Sequence, residues 1–181
     1  MTPTWLVDPA LHWTLRASLA LLWLTAAAHK LRDLRQFVQA LAAYDLVPVV
    51  LRANVARAIV VLEATIGLTL VASDIALPAV SSATLLAAYS VAIGINLVRG
   101  RRIDCGCVGP ALRVPLGNSL LVRNGLLIVA SLMLCLGTTT RALVWLDVAT
   151  VIAATATGAL LYTASATAFA NGARLAPVRE A

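Results

Sequence analysis

Long apolar runs separated by short basic stretches dominate this chain. A helix that crosses a bilayer needs about 20 mainly apolar residues. Five segments qualify: residues 11–28, 53–72, 76–98, 116–136 and 142–164. They are built mostly from Ala, Leu, Val, Ile and Thr, with no regular period-2 alternation. That pattern disfavours a membrane β-barrel, whose strands alternate in polarity. Backbone groups in lipid must be satisfied within the segment, so helices are the consistent reading. The first span ends in small residues, as a signal-peptide cleavage site would, but no Lys or Arg precedes Arg16 and Asp8 sits where the basic region belongs. A retained span is therefore expected.

Between the first two spans, Leu31, Leu34, Phe37, Val38 and Leu41 recur at helical spacing. Arg32, Asp33, Arg35, Gln36 and Gln39 fall on the other faces. The spacing predicts an amphipathic helix in the membrane interface, ended by Pro48. Ala154 and Gly158, four apart in the last span, predict close packing against a neighbouring helix. The expected fold is all-α and integral to the membrane. It is a single domain over residues 1–181: a compact bundle of about five transmembrane helices plus one interfacial amphipathic helix, with a short tail at 165–181.

Composition sharpens this. The 181 residues are 61% hydrophobic and only 12% charged, against about 25% charged in an average soluble domain. Mean hydropathy is +0.91. Disordered chains, coiled-coil rods and disulfide-rich secreted domains are excluded. An ordinary soluble globule would lack polar surface to cover itself. The net charge of +6 does not point to nucleic acid, because the 14 basic residues form no long polybasic tract. The bilayer is the expected partner.

The basic residues are placed unevenly. Lys30, Arg32, Arg35, Arg52 and Arg57 fall in the first connection, Arg99, Arg101, Arg102 and Arg113 in the third, and Arg174 and Arg179 in the tail. With five spans these share one side, leaving only Arg141 in the opposite loops. The positive-inside rule then puts the N-terminus outside and the C-terminus in the cytoplasm of a multi-pass inner-membrane protein. Trp5, Trp13 and Trp145 fall near the outer interface, as an aromatic belt would.

Ionisable groups inside a span are costly and mark candidate sites. His29, Lys30, Glu63, Asn96, Arg123 and Asn124 come from four spans, yet all fall toward the ends on the basic side. Glu63 and Arg123 are read either as a structural ion pair, with Lys30 snorkelling to the headgroups, or as a working site in which Arg123 or Lys30 stabilises a thiolate and Glu63 pairs with them or relays a proton. Arg16 and Asp147, toward the other end, are read as a structural pair.

Of the three cysteines, Cys135 is expected to be inert buried packing in the fourth span. Cys105 and Cys107 stand apart, in the connection Asp104-Cys105-Gly106-Cys107-Val108-Gly109-Pro110. Gly106 supplies the freedom that bridging an i, i+2 pair requires. Strained disulfides are labile and oxidising. Arg101, Arg102 and Arg113 would favour thiolate, and Asp104 would oppose it. A structural zinc site usually takes four ligands, and this side offers only the two cysteines and His29, so no metal is assigned. An inert thiol pair stays open as an alternative. The leading reading makes Cys105 and Cys107 the redox-active pair, with His29, Lys30, Glu63, Asn96, Arg123 and Asn124 as the supporting polar cluster.

These residues resemble the MauE family of methylamine utilisation membrane proteins, within a broader MauE/DoxX-like redox-associated group. The resemblance covers roughly residues 20–135. It is carried by His29-Lys30-Leu31, Phe37, Tyr44-Asp45-Leu46-Val47-Pro48, Glu63, Arg99-Gly100-Arg101, Cys105-Gly106-Cys107-Val108-Gly109 and Arg123-Asn124. Val108 stands where the family usually has Phe, and His29 where it often has Gly or Ala. The resemblance implies an accessory role in maturing a disulfide-rich amine dehydrogenase subunit, with a thioredoxin-like, MauD-like partner. No cofactor is firmly implied, although a membrane quinone would be a natural electron carrier. Disulfide work of that kind belongs outside the cytoplasm, whereas the charge count puts the cysteine pair at the cytoplasmic face. The alternative reading is a non-catalytic membrane subunit or small-molecule carrier with a Glu63/Arg123-lined polar pocket.

Overall fold

The computed structural model describes residues 6–100 and 117–179, with side chains through residue 168. The two cysteines at 105 and 107 lie outside the described residues, as do Arg101, Arg102, Asp104 and Arg113. Among the described residues six α-helices follow one another: α1 (Pro9–Arg32), α2 (Leu34–Tyr44), α3 (Arg52–Ala72), α4 (Leu77–Val98), α5 (Asn118–Met133) and α6 (Trp145–Arg179). A 3-10 turn, Val49–Leu51, leads into α3. The only extended pairing among the described residues is a single bridge between Val7 and Thr138.

Each boundary has a local cause. Asp8 caps α1 by accepting from the Ala10 N–H at 2.8 Å, with Pro9 in the first turn. Asp33 ends α1 and caps α2 through the Gln36 N–H at 2.9 Å. Asp45 ends α2 in the left-handed region, φ 53°, a conformation Asp tolerates better than most residues. Pro48 follows, so the helix cannot resume before the turn at Val49.

Among the described residues three helices are both long and apolar enough to cross a membrane: Val49–Ala72, Leu77–Val98 and Trp145–Ala168. The other two expected spans differ from these. At 24 residues α1 is about 36 Å long, which is sufficient, but His12, Arg16, His29 and Lys30 dilute its apolar character. At 16 residues α5 is apolar but only about 24 Å long. The amphipathic helix forms as α2, with none of its residues fully buried.

Cross-helix contacts set the directions. Arg16 meets the end of α3 at residues 70–74, while Lys30 meets Glu63, so α1 and α3 are antiparallel. Ser82 meets Ser131 and Ser90 meets Asn124, so α4 and α5 are antiparallel. Trp23–Ser82 and Lys30–Tyr89 align α1 with α4. Arg123 near the start of α5 meets Tyr162 well along α6, so these two are antiparallel as well, and α1, α3, α4, α5 and α6 alternate, with α2 outside the alternation.

The core lies where α1, α3, α4 and α5 converge: Leu19, Ala20, Trp23, Ile66, Leu70, Ala79, Leu85, Leu86 and Leu134. Gly67 allows α1 and α3 their close approach, since a Cβ there would sit 2.8 Å from Leu24 Cγ. The close packing expected at Gly158 is not found: a Cβ there would meet nothing within 4 Å, because that face of α6 is exposed. Cys135 is also corrected. It is free and exposed, lying beyond the end of α5.

Candidate functional site

Polar side chains inside the bundle fall into three layers. At the end holding the start of α1, Arg16 is buried and donates to the Leu70 carbonyl at 2.8 Å and the Ser73 carbonyl at 2.7 Å. A cation there satisfies carbonyls that the end of α3 leaves open. Arg16 also pairs with Asp74, not with Asp147 as expected. Asp147 pairs instead with Arg141, whose guanidinium also donates to Asp8 at 3.1 Å. Sequence proximity explains the switch: Arg141 and Asp147 lie at the same end of α6, whereas Asp74 follows the helix that Arg16 packs against. The Arg141 guanidinium holds the Asp8 carboxyl below the usual carboxylate value, with help from the Ala10 N–H.

The middle layer is a hydroxyl chain. Trp23 Nε1 donates to Ser82 Oγ at 2.8 Å, and Ser82 and Ser131 share a hydrogen bond at 2.9 Å. It satisfies an indole N–H that would otherwise be buried without a partner.

The third layer is the candidate site. Lys30 of α1 and Glu63 of α3 form an ion pair, with side-chain exposures of only 6% and 1%. Tyr89 of α4 donates its hydroxyl to Glu63 Oε1 at 2.6 Å. The Lys30 ammonium also lies 4.7 Å from the Phe37 ring centroid and 5.2 Å from that of Tyr89. Two aromatic faces therefore replace some of the water that the cation loses. Glu63 Oε2 is buried without a hydrogen-bond partner among the described residues. Such a group is a strained acceptor, and its desolvation opposes the attraction of the pair.

Arg123 does not join this carboxylate. Its Nη1 donates to the Tyr162 hydroxyl at 3.1 Å and its Nη2 to Asn124 Oδ1 at 3.2 Å. The guanidinium stacks 5.4 Å from the Tyr162 ring centroid. Asn124 in turn donates to Ser90 Oγ at 3.3 Å. Asn96 is wholly buried and donates to the Ala92 carbonyl, leaving its own Oδ1 without a partner among the described residues. Tyr44, at the end of α2, is near enough for Arg123 to stabilise its phenolate, but burial dominates and pushes the hydroxyl up to about 12.

The structure thus brings Lys30 and Glu63 together and places Arg123 with Asn124 in a separate group. His29 is exposed, and among the described residues no hydrogen bond or ion pair ties it to Lys30–Glu63. Adjacent helix positions differ by about 100°, so burying Lys30 turns His29 outward. Tyr89 and Tyr162 were missed by the sequence reading. Their signal was present: a tyrosine in an apolar span needs a partner for its hydroxyl.

An alternating set of apolar helices, three of them long and apolar enough to cross a bilayer, with charged and amide groups on its inner faces, is the architecture of a helical membrane protein. The chain belongs to the MauE family: the model of methylamine utilisation protein MauE matches residues 8–137. It is 37% identical over 135 residues to the methylamine utilization protein MauE of Paracoccus denitrificans, covering 74% of this chain and 72% of that one. It is 32% identical over 134 residues to the same protein of Paracoccus versutus, covering 70% and 69%. Against that of Methylophilus methylotrophus it is 36% identical over 103 residues, covering 56% and 54%. No solved structure matches the chain.

Proposed function

We propose that this chain is a multi-pass inner-membrane factor of methylamine utilisation that performs thiol–disulfide exchange through Cys105 and Cys107. The single observation that favours this is the construction of the two helices flanking residues 101–116. Helices α4 and α5 are tied by Ser82–Ser131 and Ser90–Asn124. Just inside their ends lie Asn96 and Arg123, each with a buried polar atom that has no partner among the described residues. Two helix ends fixed relative to one another, with a guanidinium just inside one of them, support reading the dithiol segment that joins them in sequence as a labile, thiolate-prone pair.

The exchange balances between two cysteine pairs. The disulfide of one pair breaks as that of the other forms, and two electrons and two protons pass between them. The partner pair belongs to a thioredoxin-like, MauD-like protein. In this reading the arginine distribution favours an outward N-terminus and a cytoplasmic C-terminus.

The test is trapping. With either cysteine replaced, Cys105→Ser or Cys107→Ser, the remaining thiol should form a lasting mixed disulfide with the co-expressed thioredoxin-like protein. Membrane-impermeant thiol labelling of intact cells reports which side the pair faces. If neither variant traps a partner, and the double variant grows on methylamine like the parent, the redox reading fails.

A further inference from the structure

A groove of about 560 Å³ runs between α2 and α3, lined by Leu34, Arg35, Val38, Gln39, Ala53 and Arg57. Its volume lies within the range of small-molecule sites, about 300–1,000 Å³. Its composition is asymmetric. Leu34, Val38 and Ala53 offer an apolar surface, and one guanidinium stands on each wall: Arg35 on α2 and Arg57 on α3. Both arginines are exposed, and among the described residues neither has a carboxylate partner. The neighbouring Arg52 differs, lying 3.9 Å from Asp45.

We propose that this groove binds an anionic phospholipid, the phosphate held between Arg35 and Arg57 and the start of an acyl chain lying over Leu34, Val38 and Ala53. Three observations converge on that occupant. The two arginines call for an anion, and a guanidinium pairs with phosphate through parallel N–H···O bonds. The apolar lining calls for hydrocarbon attached to that anion. The setting supplies both, since α3 with its leading turn is long and apolar enough to cross a bilayer, and Val49, Val50 and Leu51 at its start are exposed. A helix with no buried residue, such as α2, is the kind of element that lipid holds against a bundle.

The test uses the full chain in detergent, exchanged into nanodiscs of equal parts phosphatidylglycerol and phosphatidylcholine, then released for native mass spectrometry. Retained phosphatidylglycerol should exceed phosphatidylcholine. Arg35→Gln or Arg57→Gln should each weaken retention about fivefold, and the double variant about twenty-five-fold, at about 1 kcal/mol per guanidinium. Arg141→Gln, at the opposite end of the bundle, should leave it unchanged. The proposal is overturned if the double variant keeps phosphatidylglycerol like the parent, if both lipids are retained equally, or if millimolar inorganic phosphate displaces the lipid. Circular dichroism of the double variant, unchanged from the parent, ties the loss to the groove and not to unfolding.

Discussion

Lys30 and Glu63, 33 positions apart, meet in the bundle interior as an ion pair almost fully removed from solvent. Tyr89 and Phe37 close around them. Two charges buried together tolerate that environment; either one alone does not.

Replacing one member should therefore cost far more than replacing both. Glu63→Leu or Lys30→Met should destabilise the protein by about 3–5 kcal/mol. The double variant should recover most of that loss. Thermal unfolding of the four proteins in one detergent provides the cycle. Additive losses, with the double variant costing the sum of the two single ones, would show that Lys30 and Glu63 are not coupled.

Gly67 faces Leu24 across the α1–α3 contact, where an added Cβ would stand 2.9 Å from Leu24 Cδ2 and 3.2 Å from the Leu24 backbone nitrogen. Gly67→Ala should separate the helices and cost about 1–3 kcal/mol by overpacking. Adding Leu24→Ala should relieve part of it, leaving the backbone contact. Melting temperatures of the three proteins decide the matter.

The Trp23–Ser82 hydrogen bond joins α1 to α4. Trp23→Phe keeps an aromatic ring but removes the N–H, and should cost about 1 kcal/mol for that bond beyond the smaller ring's lost packing. Ser82→Ala strands the indole N–H instead, so its cost should be at least as large. A negligible effect in both would remove the hydroxyl chain as a stabilising element.

Asp8, Arg141 and Asp147 link the start of α1 to the start of α6. Asp8 titrates below its ordinary value of 3.8 because Arg141 favours its charged form. A depressed folded-state value contributes stability above the unfolded value, and that contribution is lost as pH falls through the folded value. The stability difference between the parent and Arg141→Gln should therefore be steady near neutrality and shrink below about pH 4. A difference unchanged at pH 3 would mean that the linkage does not act through carboxylate charge.

Much of this architecture was legible along the chain. The helical class followed from apolar runs without alternation, and the surface helix α2 from the spacing of Leu34, Phe37, Val38 and Leu41. That Lys30, Glu63, Arg123 and Asn124 gather toward one end followed from their positions within the spans. Their partners were less legible. Glu63, read as a structural pair with Arg123, takes Lys30, which was expected to snorkel; Arg16 takes Asp74 in place of Asp147; and Cys135, placed in a buried span, is exposed just past a shorter helix.

The division has a physical cause. Hydropathy sums locally, so the sequence by itself determined which segments are helical and toward which end of the bundle each charge falls. Contact between helices depends on rotation, and one position turns a side chain by about 100°. Only the tertiary structure decided that Lys30 faces inward beside Glu63 while His29 faces out, that Tyr89 completes their shell, and that Arg123 turns to Tyr162.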